Sequence, residues 1–429
     1  MNEQVEKILA DVSVDTLTLI ARDVIGDDSA TLVGDLAFAN IDTPHNDDRT
    51  IGIVKVSGTA VSVRHGSHHN WSSVVKIIDK LVPTDDAAAW GFPENEEKVY
   101  ELGLFSDAGT QLRPARCYLT HTTPDGLSML WLEDLSAAPQ PPWTVEQFIS
   151  TAHHLGQFNG YHFTNKTLLP FEIARDAYHL RKSNTPFRAT YDRLVEIQDD
   201  PIVRRVFNDT QLELNIEYLA MAEQGWEIVK PLPHSLAFGD AHSRNLFPLG
   251  SETVGIDWAS LACDPIGCDI GVLIGSPLSF GNVDIQLTTN HEREIYDSYV
   301  AGLQSTGWNG NLDHIRLGFF MHFSVYLLWM PTMASRYRKL EADESARNRE
   351  EKRTSVALED LPELKAHGSA YAEIRRRIEI TTPTSRGHAL DERTSRKSAR
   401  KHQQRNVHDR GSWRAERRFS HTRGRANVH

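Results

Sequence analysis

Two aspartates and an asparagine lie close together in one stretch of the sequence and could do chemistry as a group. Asp240 is followed by Asn245, and Asp257 comes at the end of a short apolar run further on. Carboxylate and amide oxygens are hard ligands that suit Mg²⁺ bound together with nucleotide phosphates. A further carboxylate beside such a site can take the proton of an attacking hydroxyl, as phosphoryl transfer requires.

The residues between Asn245 and Asp257 predict how the chain brings these two side chains together. Leu246–Pro248 and Thr253–Ile256 are short segments on either side of a glycine-containing turn. If they pair as a hairpin, Asn245 and Asp257 lie at the same end of it. We expect both to face one metal ion, while Asp240, at the other end of the loop, accepts a proton.

These residues belong to a longer pattern. It reads Phe238-Gly239-Asp240, Asn245, Ile256-Asp257-Trp258 and Asp264-Pro265-Ile266-Gly267-Cys268-Asp269. The pattern resembles the signature of the aminoglycoside phosphotransferase/choline kinase family, which has a kinase-like fold. The resemblance implies that Asp240 is the catalytic base and that Asn245 and Asp257 hold magnesium. Phe238 stands where the family usually has histidine, and we expect its ring to support the loop by packing. Asp269 is implied to be structural, able to cap the following helix.

Upstream segments extend the resemblance over roughly residues 30–345. They are Val74-Val75-Lys76-Ile77, Glu96-Glu97-Lys98-Val99-Tyr100, Leu130-Trp131-Leu132-Glu133-Asp134-Leu135 and the helix His153–Gly160, which resembles the one that packs under the catalytic loop. The resemblance implies that Lys76 contacts the nucleotide phosphates and pairs with Glu96, with Glu97 as the alternative. It also implies that backbone groups around Glu133 and Leu135 meet the base.

The glycine-rich phosphate loop is poorly developed. From residue 35 to Lys76 the sequence contains only Gly52, Gly58 and Gly66, without a GxGxxG pattern. The segment around Gly58 is the one candidate for part of this loop. Together with Phe238, the weak loop keeps open a second hypothesis, in which the protein is a pseudokinase that binds nucleotide or ligand without turnover.

Periodicity and turn residues predict the elements that must position this site. Helices are expected at 2–24, ended by Gly26, at 95–104 and at 145–163, with more helix within 165–225 and 290–345; β-type segments are expected at 50–56, 61–63, 72–78, 115–120 and 127–132. A Pro-rich connector at 137–142 separates the strand-rich part from the helix-rich part. The prediction is an α+β, bilobal, protein-kinase-like fold with a small β-rich N-lobe and a larger helical C-lobe.

The expected domain boundaries follow from this order. Residues 1–30 form a helical segment, 31–135 the N-lobe with the nucleotide-binding lysine, 136–384 the C-lobe with the catalytic loop and acceptor site, and 385–429 a basic tail. The tail has thirteen basic and four acidic residues, a net charge of +9 in a chain of net charge −12. It has too little apolar periodicity to fold by itself. A nucleic-acid arm and an extended, sticky terminus are both compatible with it, and the acidic remainder of the chain favours the second, so no nucleic-acid partner is expected.

Composition limits the remaining possibilities. The chain has 429 residues, of which 40% are hydrophobic and 24% charged, as in ordinary globular proteins. Its three cysteines are too few for a disulfide framework, and Cys263 and Cys268 have no partner at metal-ligand spacing, so we expect buried, unligated thiols. The N-terminus is polar, and no apolar run reaches the about 20 residues of a membrane span. We expect a cytoplasmic protein without a membrane partner.

The predicted function is transfer of the γ-phosphoryl group of Mg²⁺-bound ATP, or GTP, to a hydroxyl group of a small molecule. The acceptor stays open, because the segments 165–225 and 280–345 that would form its pocket carry no diagnostic pattern. The oligomeric state is not predicted.

Overall fold

The computed structural model describes residues 3–41, 49–80, 93–106, 109–123, 126–176, 195–206, 209, 213, 229–280, 284–325, 340, 342–354 and 357. These residues lie in one compact unit of residues 1–373. The predicted basic tail lies outside the described residues, so its expected disorder stays a prediction. Among the described helices, none combines the length and apolar character needed to cross a bilayer.

The element order places most strands before most helices. The helices are α1 Glu3–Ala10, α2 Val14–Ile25, α3 Pro93–Glu101, α4 Val145–Thr164, α5 Pro201–Val206, α6 Cys268–Phe280, α7 Asp284–Asn290, α8 Glu292–Ser305, α9 Leu312–Val325 and α10 Glu344–Thr354. The strands are β1 Ala30–Asn40, β2 Thr50–Ser62, β3 His68–Asp79, β4 Leu112–Pro114, β5 Cys117–Thr122, β6 Leu127–Glu133, β7 His234–Ala237, β8 Leu246–Leu249, β9 Glu252–Gly255 and β10 Ala262–Pro265. The predicted α+β class, with a β-rich part before a helical part, is confirmed.

The expected single helix at 2–24 is wrong, because the chain breaks between α1 and α2. Ser13 caps α2, and its hydroxyl accepts the backbone N–H of Thr16 at 3.1 Å. A serine that takes this bond favours a helix start over a helix interior. Gly26 ends α2 with a left-handed φ of 75°, as expected.

Five strands form an antiparallel sheet in the order β1-β2-β3-β6-β5. The two short β segments expected at 50–56 and 61–63 are one continuous strand, β2, with Gly58 inside it opposite Trp71. A Cβ at Gly58 would lie 2.7 Å from Leu36 Cδ2 and 3.2 Å from Trp71 Nε1, so glycine makes room for these side chains. The segment around Gly58, expected as part of a phosphate loop, therefore lies within a strand. Residues 42–48, between β1 and β2, lie outside the described residues.

One face of this sheet is covered by α1 and α2. The buried core between them consists of Val5, Leu9, Leu17, Ile20, Ala21, Ala30, Val54, Val56, Ala60, Trp71, Val75, Ile77, Met129 and Trp131. Side chains alternate between the two faces of a strand. Because Val75 and Ile77 point to the helices, Lys76 points to the opposite face of the sheet.

The helical part is built around α4, which packs against α8, while α6 packs against α9. Thr144 and Gln147 form a capping box at the start of α4, which therefore begins where the sequence predicted. Of the helix expected within 165–225, residues 165–176 are irregular and most of the remainder lies outside the described residues. The strand β4 pairs in parallel with β9, which ties the first part of the chain to the predicted catalytic hairpin.

Candidate active site

The loop between β7 and β8 carries Asp240 and Asn245 and folds back on itself. The Asn245 amide donates to Asp240 Oδ2 at 3.1 Å, and the backbone N–H of His242 donates to the Asp240 carbonyl at 2.8 Å. Gly239 enters the loop with a φ of 83°, and a Cβ there would lie 2.1 Å from the carbonyl oxygen of Ser260. Only glycine fits this turn, which fixes the position of Asp240.

His242 also contacts Asp240. Its Nδ1 accepts the backbone N–H of Arg244 at 3.2 Å, so a neutral imidazole ring carries its proton on Nε2. That nitrogen lies 3.3 Å from Asp240 Oδ2 and can donate to it. The structure thus places the His242 ring against the Asp240 carboxylate.

The predicted hairpin is confirmed: β8 and β9 pair antiparallel, with Leu246 opposite Gly255. The backbone N–H of Ile256 donates to the Asn245 carbonyl at 2.9 Å. Asn245 and Asp257 therefore both lie at the open end of the hairpin, one on each strand side. Asp257 has a left-handed φ of 60°, which costs a non-glycine residue about 1–2 kcal/mol. Its side chain is 45% exposed, so the carboxylate is accessible.

Lys76 joins the sheet to this hairpin. Its ammonium lies 2.6 Å from Glu96 Oε2 and 3.2 Å from Asp257 Oδ1. The other oxygen of Glu96 accepts the backbone N–H of Asp257 at 3.1 Å. Burial opposes the charge of Lys76, but Asp257 and Glu96 outweigh it, so the pKa of Lys76 is raised. Burial raises the pKa of Glu96, against the effect of Lys76.

The helix α3 presents two adjacent glutamates, and the structure distinguishes between them. Glu96 pairs with Lys76, while Glu97 lies 3.0 Å from the ammonium of Lys80. Both carboxylates are buried. The register that the sequence favoured is therefore the one observed.

Asp269 holds the loop that carries Asp240, so it is structural as expected, but it bonds the loop backbone instead of capping the helix. Its Oδ1 accepts the backbone N–H of Gly239, and its Oδ2 accepts that of Phe238, each at 2.9 Å. Asn159 on α4 donates to the same Oδ2 at 2.9 Å, and its own amide oxygen accepts the hydroxyl of Tyr299 at 2.7 Å. Burial raises the pKa of Asp269, and these bonds act against the rise. Sequence reasoning missed Asn159 and Tyr299; an amide inside a buried apolar helix face was the available signal.

Phe238 supports the loop as the sequence analysis expected. Its ring is fully buried and meets the ring of Trp258 edge-on, with centroids 4.7 Å apart. The Trp258 indole N–H donates to the Gly255 carbonyl at 2.9 Å, which ties the end of the hairpin to the same aromatic cluster. Packing of the Phe238 ring thus supports this end of the loop.

The predicted hinge follows β6 and is anchored by charges. The Glu133 carboxylate accepts from Arg113 at 2.8 Å, and although burial opposes ionisation, Arg113 holds its pKa below the usual value. The backbone N–H of Glu133 donates to the Arg116 carbonyl at 2.8 Å, and the Leu135 carbonyl accepts the N–H of Ala138 at 3.0 Å. Sequence reasoning gave Glu133 no side-chain role.

A second ion pair at the hinge was not predicted. Lys55 reaches from β2 to Asp134, 2.7 Å away, and Ser72 donates to the same carboxylate oxygen at 2.6 Å. Burial raises the pKa of Asp134, but Lys55 and the hydroxyl of Ser72 outweigh it and lower the pKa to about 2. The contact fastens the hinge to the face of the sheet that carries Lys76.

The donor set at the open end of the hairpin fits a divalent cation. Asp257 contributes an accessible carboxylate, and Asn245 contributes an amide whose nitrogen donates to Asp240, so its oxygen is the atom available to a metal. These are oxygen donors of the kind that Mg²⁺ prefers. The chemistry of the residues therefore agrees with the predicted metal site.

Comparisons with known proteins found similar chains among solved structures only. No protein-family model and no curated protein matches the sequence. Among solved structures, the chain is similar to an amicoumacin kinase in complex with AMP-PNP and Ca²⁺ (14% identity, 88% of this chain and 96% of that chain, TM-score 0.39). It is also similar to a choline kinase from Cryptosporidium parvum Iowa II (12%, 86% and 96%, TM-score 0.41) and to a spectinomycin phosphotransferase in complex with ADP (12%, 84% and 99%, TM-score 0.38).

By their names these proteins are two kinases and a phosphotransferase. Identities of 12–14% and TM-scores of 0.38–0.41 are too low to carry a functional argument. The function must therefore be argued from the residues of this chain.

Proposed function

We propose that this protein is a small-molecule kinase that transfers the γ-phosphoryl group of a Mg²⁺-bound nucleotide to an acceptor hydroxyl. The observation that carries the proposal is the contact of Lys76 with both Glu96 and Asp257. Three elements from distant parts of the chain meet there: β3, α3 and the end of the β8–β9 hairpin. Each contributes one charged side chain, the lysine lying between the two carboxylates. Buried charges are costly unless they are paired, and this group holds two carboxylates and one ammonium, so it would take an anionic ligand together with a divalent cation.

Lys76 would steady the nucleotide phosphates, and Glu96 would hold its ammonium in place. Asn245 and Asp257 would hold the magnesium ion, which, when bound, neutralises negative charge on the phosphates. Backbone groups around Glu133 and Leu135 would meet the base. ATP is the proposed donor, with GTP as the alternative.

Asp240 would act on the acceptor. Its carboxylate takes the hydroxyl proton as the acceptor oxygen forms a bond to the γ-phosphorus and the bond from that phosphorus to the β–γ bridging oxygen breaks. His242 and Asn245 both contact Oδ2 of Asp240, which orients the carboxylate for this transfer. Positioning and charge stabilisation supply most of the catalysis in such reactions.

A pseudokinase that binds nucleotide without turnover is the second candidate. Phe238 in place of histidine and the absence of a glycine-rich pattern ahead of Lys76 favour it. The packing of Phe238 against Trp258 keeps the catalytic loop supported, which weakens the first of these reasons.

A transfer assay with ATP labelled at the γ-phosphate tests the proposal. The wild-type chain, Mg²⁺ and a broad set of small hydroxyl compounds should yield a labelled product that Asp240→Asn does not form, while Asp240→Asn keeps its affinity for AMP-PNP. Binding of AMP-PNP without transfer to any compound would favour the pseudokinase. A wild-type chain that does not bind Mg²⁺-nucleotide would overturn both candidates.

A further inference from the structure

A second group of metal-binding side chains lies outside the catalytic hairpin. The group is Asp264 at β10, Cys268 at the start of α6 and His322 on α9, and one ligand atom from each lies within 4.8 Å of the other two. All three residues are buried, with at most 1% of their surface exposed. No step of the proposed reaction uses them, so they call for a separate explanation.

The fold brings the three together through very close contact between α6 and α9. A Cβ at Gly271 on α6 would lie 2.7 Å from His322 Cβ, and a Cβ at Gly318 on α9 would lie 2.1 Å from the carbonyl oxygen of Ile266. The two helices therefore touch backbone to backbone, which fixes His322 against Cys268. The two residues are more than fifty positions apart, which is why the sequence predicted Cys268 to be an unligated thiol.

The protonation of His322 follows from one hydrogen bond. Its Nδ1 lies 2.7 Å from the Gly318 carbonyl, which can only accept, so Nδ1 carries the ring proton. In a neutral ring Nε2 then has a lone pair and is the ligating nitrogen. A metal-bound histidine commonly donates its other N–H to a backbone carbonyl, and this is the arrangement seen here.

We propose that Asp264, Cys268 and His322 bind a zinc ion. The Cys268 Sγ lies 3.7 Å from Asp264 Oδ2. With Zn–S of about 2.3 Å and Zn–O of about 2.0 Å, a sulfur and an oxygen ligand of a tetrahedral zinc ion are about 3.5 Å apart, so this pair needs little movement. The His322 nitrogen, within 4.8 Å of both, would move in by about 1 Å or less. The mixed sulfur, nitrogen and oxygen donors suit zinc better than magnesium or calcium, which prefer oxygen alone.

Charge supports the same assignment. A thiolate and a carboxylate together balance the two positive charges of zinc, while the neutral imidazole adds none. The site is then uncharged as a whole, which suits a buried position. Three protein ligands leave one position of a tetrahedron for water. A zinc ion here would bind β10, α6 and α9 together behind Asp269, and its role would be to stabilise the helical part.

Metal analysis and cobalt spectroscopy on the full-length chain test the proposal. Untagged wild-type protein purified without chelator should contain one zinc ion per chain by mass spectrometry. After removal of zinc, added Co²⁺ should give visible d–d bands typical of a tetrahedral site and a charge-transfer band from a thiolate ligand. Residues that only orient a metal ligand typically lower metal affinity by about 10–100-fold when they are replaced. Replacing a ligand itself should weaken zinc binding by at least this factor.

Matched thiols make the test specific. Cys268→Ser should remove the charge-transfer band and lower zinc to background, while Cys263→Ser, which changes a half-buried thiol outside the group, should leave both unchanged. His322→Gln should also lose zinc. A wild-type chain without zinc and without a cobalt spectrum would overturn the proposal, and the group would then be a proton-shared His–Asp–Cys cluster. Equal zinc content in wild type and Cys268→Ser would also overturn it.

Discussion

Replacing Glu96 with glutamine tests the central ion pair, because the change keeps the shape of the side chain. Glu96 accepts from Lys76 at 2.6 Å with one oxygen and from the Asp257 N–H at 3.1 Å with the other. Glutamine has one carbonyl oxygen, so its NH₂ group must face one of these two donors. At least one bond to a charged group is lost in a side chain that is 1% exposed.

The expected magnitude follows from that loss. A hydrogen bond to a charged group contributes about 1.5–3 kcal/mol, which corresponds to roughly a 10- to 150-fold change in an equilibrium constant. If Lys76 steadies the phosphates, Glu96→Gln should weaken the binding of Mg²⁺–AMP-PNP by a factor in that range. Isothermal titration calorimetry measures this affinity without knowledge of the acceptor.

Glu97→Gln is the matched control. Glu97 is also buried and also pairs with a lysine, Lys80 at 3.0 Å, but it does not contact the hairpin. It should lose stability in urea unfolding without a change in nucleotide affinity. Equal effects of Glu96→Gln and Glu97→Gln on affinity would refute the reasoning.

Three further predictions concern the loop and the core. Gly239→Ala should abolish nucleotide binding or folding, because its Cβ would lie 2.1 Å from the Ser260 carbonyl oxygen. Gly250 is the control, because it also has a left-handed φ, 59°, but no neighbour within 4 Å. Gly250→Ala should lower the free energy of unfolding in urea by only about 1–2 kcal/mol. Asp269→Asn should destabilise the chain by about 1–3 kcal/mol and weaken AMP-PNP binding, because both carboxylate oxygens accept hydrogen bonds and the new NH₂ group must oppose a donor; unchanged urea unfolding and affinity would contradict this. Burial lowers the pKa of His162 from 6.5 to about 4, so the unfolded chain binds a proton that the folded chain refuses, and stability falls as pH drops from about 6.5 to about 4. His162→Phe should reduce the loss of stability between pH 7 and pH 5 by about 2 kcal/mol in urea unfolding, and an unchanged pH profile would contradict the shift.

Local patterns in the sequence were sufficient to predict the β8–β9 hairpin. The short segments around the turn near Gly250 pair as expected. Asn245 and Asp257 therefore both lie at the open end of the hairpin. The pairing of Lys76 with Glu96, which the family resemblance implied, is also the one observed. The hairpin depends on residues close in sequence, where turn type determines the geometry.

Long-range contacts were beyond such reasoning. Gly58 resembles a turn residue in sequence, but it makes room for Trp71 across the sheet. Asp269 resembles a helix cap, but its carboxylate is taken up by the backbone of the catalytic loop. Cys268 meets His322 only because two helices approach without side chains between them. In each case the deciding partner is far away in the sequence.

Mn²⁺ binding measured by electron paramagnetic resonance tests the central claim most directly, with Mn²⁺ in place of Mg²⁺ and AMP-PNP as the nucleotide. The account predicts a nucleotide-dependent Mn²⁺ site in the wild-type chain that is lost in Asp257→Asn, weakened in Asn245→Ala and unchanged in Glu97→Gln. Wild-type Mn²⁺ binding by Asp257→Asn in the presence of AMP-PNP would contradict it.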